Sequence, residues 1–278
     1  MSEDKKGLDV LGIQPIADSI KLTLQGVGTF LGKICLPAAE EFGLLLKDRI
    51  SFWRAKNFAA IASKAEQMLE SQGGIGDRHA PPRLVHSIME NGSWTAEDEV
   101  QGMWAGLLAS SCTEGGRDDG NILFTNLLSQ LTASEAKMLN HICSEAPKKL
   151  ASNGLPVSEE IEISPEKLVE VSGVEDLFRL DRELDHLRSL DLISGGFMVP
   201  RYDNPSYKKR QEDARERRDK AIAEGKHDEI EKYAALYTVE PDDSGVLIAK
   251  AAPTAIALNL YVRTHGSQST PAEFFGLA

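Results

Sequence analysis

Between Lys208 and Lys232 the chain carries nine Lys/Arg and eight Asp/Glu with almost no large apolar side chain. A stretch of that composition has little area to bury, so it forms at best an exposed helix laced by i,i+4 charge pairs. The constraint reaches further than the stretch itself. Whatever core the protein builds must come from the sequence on either side of residues 201–243, and any strands that pair across this insertion must do so without its help. Gly225 divides the charged run in two. The plain reading of the arm is a solvated excursion. The sharper one is a partner-binding arm, in which Lys208, Lys209, Arg210, Arg215, Arg217 and Arg218 supply a local positive face despite the near-neutral sum.

Upstream of the arm, apolar residues recur with helical spacing. Residues 10–36 are apolar but studded with Gly12, Gly26, Gly28 and Gly32, which weakens intrinsic helicity and leaves the segment in need of a surface to fold on. It would dock on the body or be released toward a membrane as an amphipathic segment. Gln25, Lys33, Glu40 and Glu41, with Pro37, keep the region around it short of the ~20 uninterrupted apolar residues of a membrane span. Pro37 suits the first turn of a long helix running to Ser71, with Phe42, Leu46, Ile50, Trp53, Ile61 and Met68 on one stripe. Leu84, Val85, Ile88 and Met89 mark a short helix. Thr95 with Asp98 reads as the cap of another, carrying Val100, Met103, Trp104, Leu107 and Leu108 inward. Trp53 and Trp104 are expected in the core, and Trp94 as a hydrophobic staple or an exposed contact. No run in this half alternates with period two, so residues 10–131 are expected to be all-helical.

After Leu131 the pattern changes. Thr132 caps a helix through Glu145, a Pro/Gly/Ser loop leads to Ser164, and Pro165 opens a short helix that Gly173 ends. Glu175 or Asp176 starts a third helix, with Leu177, Leu180, Leu184 and Leu187 inward. A strand follows over Leu190–Pro200, a second over Gly245–Lys250, and a last helix over Pro253–Arg263. This is the chain order of a winged helix-turn-helix. The expected fold is therefore mainly α: an apolar Gly-rich segment at residues 1–36, a helical bundle at 37–131, and a winged-helix-like α/β unit at 132–278 with the charged helical insertion in its wing.

Chemistry is harder to find than architecture. The charge, 31 Lys+Arg against 43 Asp+Glu, is −12, split −5 and −7 about Leu131, and an acidic balance on both sides weighs against broad nucleic-acid binding. The helix that would read DNA sets Arg179, Arg182 and Arg188 against Asp176, Asp181, Glu183 and Asp185, a net of −1. Arg179, Arg182 and His186 are its candidate contact residues, for protein ahead of DNA. The six histidines show no HxxxH or HExxH spacing. Gly26, Gly28 and Gly32 lie in a helical stretch rather than after a strand, and Ser110, Ser111 and Cys112 lack a base in register. No catalytic residue, cofactor or metal is expected. The three cysteines, odd in number and without a CxxC pair, read as buried thiols of a reducing cytoplasm, and the polar start of the chain is unlike a secretory signal.

Three runs carry a family resemblance: WRAKNFAAIASKAEQMLESQG from Trp53, APPRLVHSIMENGSWTAEDEVQGMWAGLLASSC from Ala80, and LFTNLLSQLTASEAKMLNHI from Leu123. Together they resemble the abortive infection alpha family of bacteria and phages. The carrying features are Arg54 with Asn57, Pro81 and Pro82, Glu97–Glu99 before Trp104–Ala109, and Leu128–Leu139, over roughly residues 40–200. The helix at Ala252–Thr264 resembles the family's closing helix, with Ala257 where the pattern has Gly, and the charged insertion lies outside the pattern. The resemblance implies an antiviral, phage-defence or prophage function and brings no catalytic residues with it. Two functions remain. One is a non-enzymatic defence protein acting in the cytoplasm or at the membrane periphery, by protein contacts, self-association or membrane contact through residues 10–36. The other is a winged-helix transcriptional regulator that binds DNA.

Overall fold

The computed structural model describes residues 26–44, 49–197, 216–217, 219–224, 226 and 249–277. Among these the chain is mostly helical, with small antiparallel sheets. Helix α1 (residues 26–34) buries Val27, Phe30, Leu31 and Ile34, whose spacing of three and four puts them on one side. Helices α2 (Leu36–Leu44) and α3 (Arg49–Ser71) follow. A single helix through both would hold Phe42 and Phe58 about 24 Å apart along its axis. Their ring centroids lie 6.0 Å apart, so the expected continuous helix is two helices, which meet through these rings.

Helix α3 packs most extensively on α5 (Asp98–Ser110). It buries Ala55, Phe58, Ala59, Ile61, Ala62, Ala65 and Leu69. Of the stripe expected from the sequence, Phe42 and Ile61 are in the core and Met68 packs against it, small alanines fill the rest of the face, and Leu46 and the Ile50 side chain lie outside what is described. Trp53 is 40% exposed, whereas Trp104 is in the core at 3%. Helix α4 (Pro82–Gly92) opens on a proline and buries Leu84, Val85, Ile88 and Met89 as expected. Helix α5 starts without a side-chain cap. Thr95 lies before the helix, where its carbonyl accepts from Gln101 Nε2 at 3.0 Å, and Asp98 and Glu99 place negative charge at the helix start instead. Almost every residue of α5 from Val100 onward is buried, which makes it the central element of the first core. Helix α6 (Ile122–Gln130) completes this part. Its one departure from all-helical structure among the described residues is a two-residue pairing of β1 (Arg78–His79) with β2 (Thr113–Glu114).

Helix α7 (Ala133–Glu145) begins in a reciprocal cap: Glu135 N–H donates to Thr132 Oγ1, and Thr132 N–H donates to Glu135 Oε2. The expected loop up to Ser164 contains instead a hairpin of β3 (Lys148–Leu150) with β4 (Pro156–Ser158), then β5 (Ile161–Ile163). Ser164 caps α8 (Pro165–Ser172), and Gly173 ends it at φ +72°, a left-handed turn that suits glycine. Asp176 caps α9 (Leu177–Ser189), which buries Leu180, Leu184 and Leu187, while Leu177 turns outward. Strands β6 (Ile193–Phe197) and β7 (Ala249–Pro253) pair antiparallel from Ile193↔Pro253 to Phe197↔Ala249, so the strands flanking the insertion are joined directly. Sheet order is β5-β7-β6. Residues 198–200 and 245–248 of the expected strands lie outside the described residues.

Two apolar clusters result. Leu128 belongs to the first and Leu127 to the second, with Phe124 and Leu131 touching both. The closing helices α10 (Ala255–Thr264) and α11 (Pro271–Phe274) return to the first part of the chain. Ser110 Oγ donates to the Arg263 carbonyl at 3.1 Å, Gln72 Nε2 to that of Gly266 at 3.1 Å, and Gln268 Nε2 to that of Cys112 at 2.6 Å. No described helix is long and apolar enough to cross a membrane.

Candidate contact surface on α9

Helix α9 turns one face to the start of α7, and that face gathers its polar side chains. Arg179 Nε donates to Glu183 Oε1 at 2.8 Å, and Arg179 Nη2 to Ser134 Oγ at 3.3 Å. His186 Nδ1 lies 2.7 Å from Glu135 Oε1, the same buried carboxylate that caps α7. Arg188 bonds Asp185 and donates to the Gly195 carbonyl at 3.0 Å, tying α9 to β6. Of the three residues singled out in sequence, Arg179 and His186 are thus bonded to neighbouring side chains, Arg179 from an exposed position and His186 from a half-buried one, and Arg182 is exposed. The partners Ser134, Glu135 and Glu183 had one sequence signal: the Thr132-x-x-Glu135 spacing of a capping box.

The first turn of α9 displays two apolar side chains outward, beside the exposed Arg179 and Arg182. Phe178 is 89% exposed and Leu177 42%, and Arg182 follows Phe178 by one turn on the same side. Of the cationic arm, Arg217 is exposed in helical backbone, while Lys208, Lys209, Arg210, Arg215 and Arg218 lie outside the described residues.

The hydroxyls of Ser110 and Ser111 both accept from Asn121 Nδ2 at 3.0 Å and donate to backbone carbonyls, so they form a buried structural network. No group of three His, Cys, Asp or Glu able to hold a metal ion occurs among the described residues. The three thiols are buried, and burial pushes Cys112 and Cys143 up to about 12 and raises Cys35 as well. A raised folded-state value means that these thiols contribute fully below the ordinary thiol value of 9.0, and that the contribution is lost as pH climbs from there toward about 12. Iodoacetamide at about pH 8 is expected to leave Cys112 and Cys143 unmodified in the native protein and to label all three cysteines in roughly 6 M guanidinium. Native labelling of Cys112 or Cys143 would contradict the packing.

The family model for abortive infection alpha matches residues 55–251, more than half of the chain. The chain belongs to the abortive infection alpha family. In this abortive infection alpha protein the matched region runs from α3 into β7. It takes in the whole of α9, spans the charged insertion that the sequence pattern had set aside, and stops short of α10. No curated protein and no solved structure matches the chain.

Proposed function

We propose that this protein is a non-enzymatic phage-defence factor of the abortive-infection type, working in the cytoplasm through macromolecular contacts. Family membership carries the reading. The contact mode is supported by α9, whose Arg179 and His186 are bonded to neighbouring side chains while Phe178 stands in solvent. We read α7, β5, α8, α9, β6, β7 and α10 as a winged helix. Its support is the element order and the sheet order β5-β7-β6, which set α9 in the place of a recognition helix and the insertion in the wing. An exposed aromatic with two arginines beside it, one of them paired with Glu183, suits a protein groove better than a phosphate-lined one.

The test is phage plating on cells with and without the gene. Plating is expected to fall when the gene is present, and Phe178→Asp, at a fully exposed site, is expected to leave folding intact and remove protection. Equal plating with and without the gene sinks the defence reading. A folded, fully protective Phe178→Asp protein sinks the role of α9. Gel shifts at ~50 mM salt with its own upstream DNA are expected to be blank, and a retained complex there favours the transcriptional regulator.

A further inference from the structure

The side of α3 turned away from α5 carries Phe52 and Trp53, 41% and 40% exposed, with Lys56 exposed one turn later. Trp94, just past the end of α4, is 54% exposed and closes on the same spot. The Trp53 and Trp94 rings lie 6.2 Å apart at 52°, and the Arg54 guanidinium sits 4.5 Å from the Trp94 ring centre. Apolar side chains scattered singly over a surface need no explanation, but two exposed tryptophans in ring contact, with exposed Phe52 next in the chain, do. Their frame is fixed. Arg54 donates to Glu90 Oε2 at 2.8 Å and to Ser93 Oγ at 3.0 Å, and buried Asn57 donates to the Ser93 carbonyl at 3.0 Å.

Charge says what such a patch would meet. Within residues 47–56, Lys47, Arg49, Arg54 and Lys56 stand against Asp48 alone, in a chain whose sum is −12. The acids closest to Trp94 in sequence are neutralised in place: Glu90 by Arg54, Glu97 by Lys137 at 3.0 Å and Asp98 by Lys64 at 2.7 Å. Among the described residues, exposed Lys56 and the Arg54–Glu90 pair therefore border the tryptophans, within a stretch whose sequence is cationic.

We propose that Phe52, Trp53 and Trp94, with Arg54 and Lys56, form a docking surface for an anionic lipid bilayer. Indole and phenyl rings settle at headgroup depth, where neighbouring lysine and arginine reach the lipid phosphates. A single nucleic-acid strand would need open ring faces for its bases. Here the rings are tilted and Arg54 covers Trp94. The surface is separate from the apolar segment at residues 10–36, part of which is already in use: Val27, Phe30, Leu31 and Ile34 are in the core. The proposal deepens the contact-driven reading by naming one partner.

The experiment is flotation of the full-length protein with vesicles of phosphatidylcholine alone and of phosphatidylcholine with an equal part of phosphatidylglycerol. The protein is expected to float with the mixed vesicles at ~50 mM salt, not with the neutral ones, and to be released at ~0.5 M. Bromine-labelled acyl chains are expected to quench part of the tryptophan emission, with buried Trp104 spared. The double variant Trp53→Ser, Trp94→Ser, with unchanged circular dichroism, should partition about tenfold less, and Lys56→Glu should weaken binding in the same direction. The proposal is overturned if the wild type does not float or if the double variant floats equally. It is also overturned if the double substitution turns a dimer into a monomer on light scattering, which would make the occupant a second copy. Binding of single-stranded oligonucleotide lost by the same substitutions would make it nucleic acid. Protection against phage without vesicle binding removes only this proposal, and vesicle binding without protection removes only the defence reading.

Discussion

Gly106→Ala is expected to be the most damaging single methyl in the protein. A Cβ built there would lie 1.8 Å from the Thr264 carbonyl oxygen, 2.2 Å from its carbon and 2.9 Å from Gly266 N. All three are backbone atoms, so no rotamer change relieves the overlap, and α10 must move off α5. That helix contributes Ala257 and Leu260 to the second core, so the displacement disturbs both clusters. We expect a loss of about 3 kcal/mol or more, a large part of the roughly 5–15 kcal/mol that a domain possesses. The sign makes the measurement decisive. At Gly102, one turn earlier, a Cβ meets nothing within 4 Å, and the same change should gain up to about 1 kcal/mol of helix propensity. Urea midpoints that move in opposite directions for the two variants are the expected result. A midpoint for Gly106→Ala at or above wild type would show that α10 does not lie where described.

The second large effect is expected at Glu135. Its carboxylate, 2% exposed, accepts from Thr132 N–H at 2.7 Å through one oxygen and meets His186 Nδ1 at 2.7 Å through the other. Alanine there strips the cap of α7 and leaves the part-buried Thr132 N–H and an imidazole nitrogen without their partner. The combined cost is about 2–4 kcal/mol. Glu135→Gln keeps an oxygen and an amide in the same volume, and we expect about half that cost. Thermal unfolding of the two variants checks the ordering. If alanine is tolerated within about 0.5 kcal/mol, Glu135 does not join the two helices energetically.

Why Glu135 was invisible as a link while Thr132 was plain as a cap follows from the range of the forces involved. Capping acts over three residues, so Thr132 with Glu135, Ser164 before Pro165, Gly173 after α8 and Asp176 before α9 could all be read from neighbouring letters. The bonds from α9 to α7 join residues about fifty positions apart, and only the packed chain brings Arg179 to Ser134 and His186 to Glu135. The inward face of α3 is legible in part for a related reason. Ile61 of the bulky stripe is buried and Met68 packs on the core, but Trp53 is not buried, and the alanines that complete the buried face give no periodic signal of their own. The hairpin of β3 and β4 has strands of three residues, too short to show alternation, although Asn153-Gly154 between Leu150 and Leu155 is a turn signal of the usual kind. The exposed Phe178 carried a sequence letter but no pattern, since nothing in periodicity separates an outward aromatic at the first turn of a helix from an inward one.

The return of the closing helices onto α5 also sets an order of events during synthesis. Ser110 bonds Arg263, Cys112 is bonded by Gln268, and Gly106 lies under Thr264, so the wall of the first core is made of residues translated about 150 positions later. Helices α1–α6 leave the ribosome with one side of α5 uncovered and stay so while β6, the charged arm and β7 are made. A nascent chain arrested before β7 therefore exposes an apolar strip that the finished protein hides. Elongation through residues 249–268 closes it, which ties the maturation of the first half to the translation of the last.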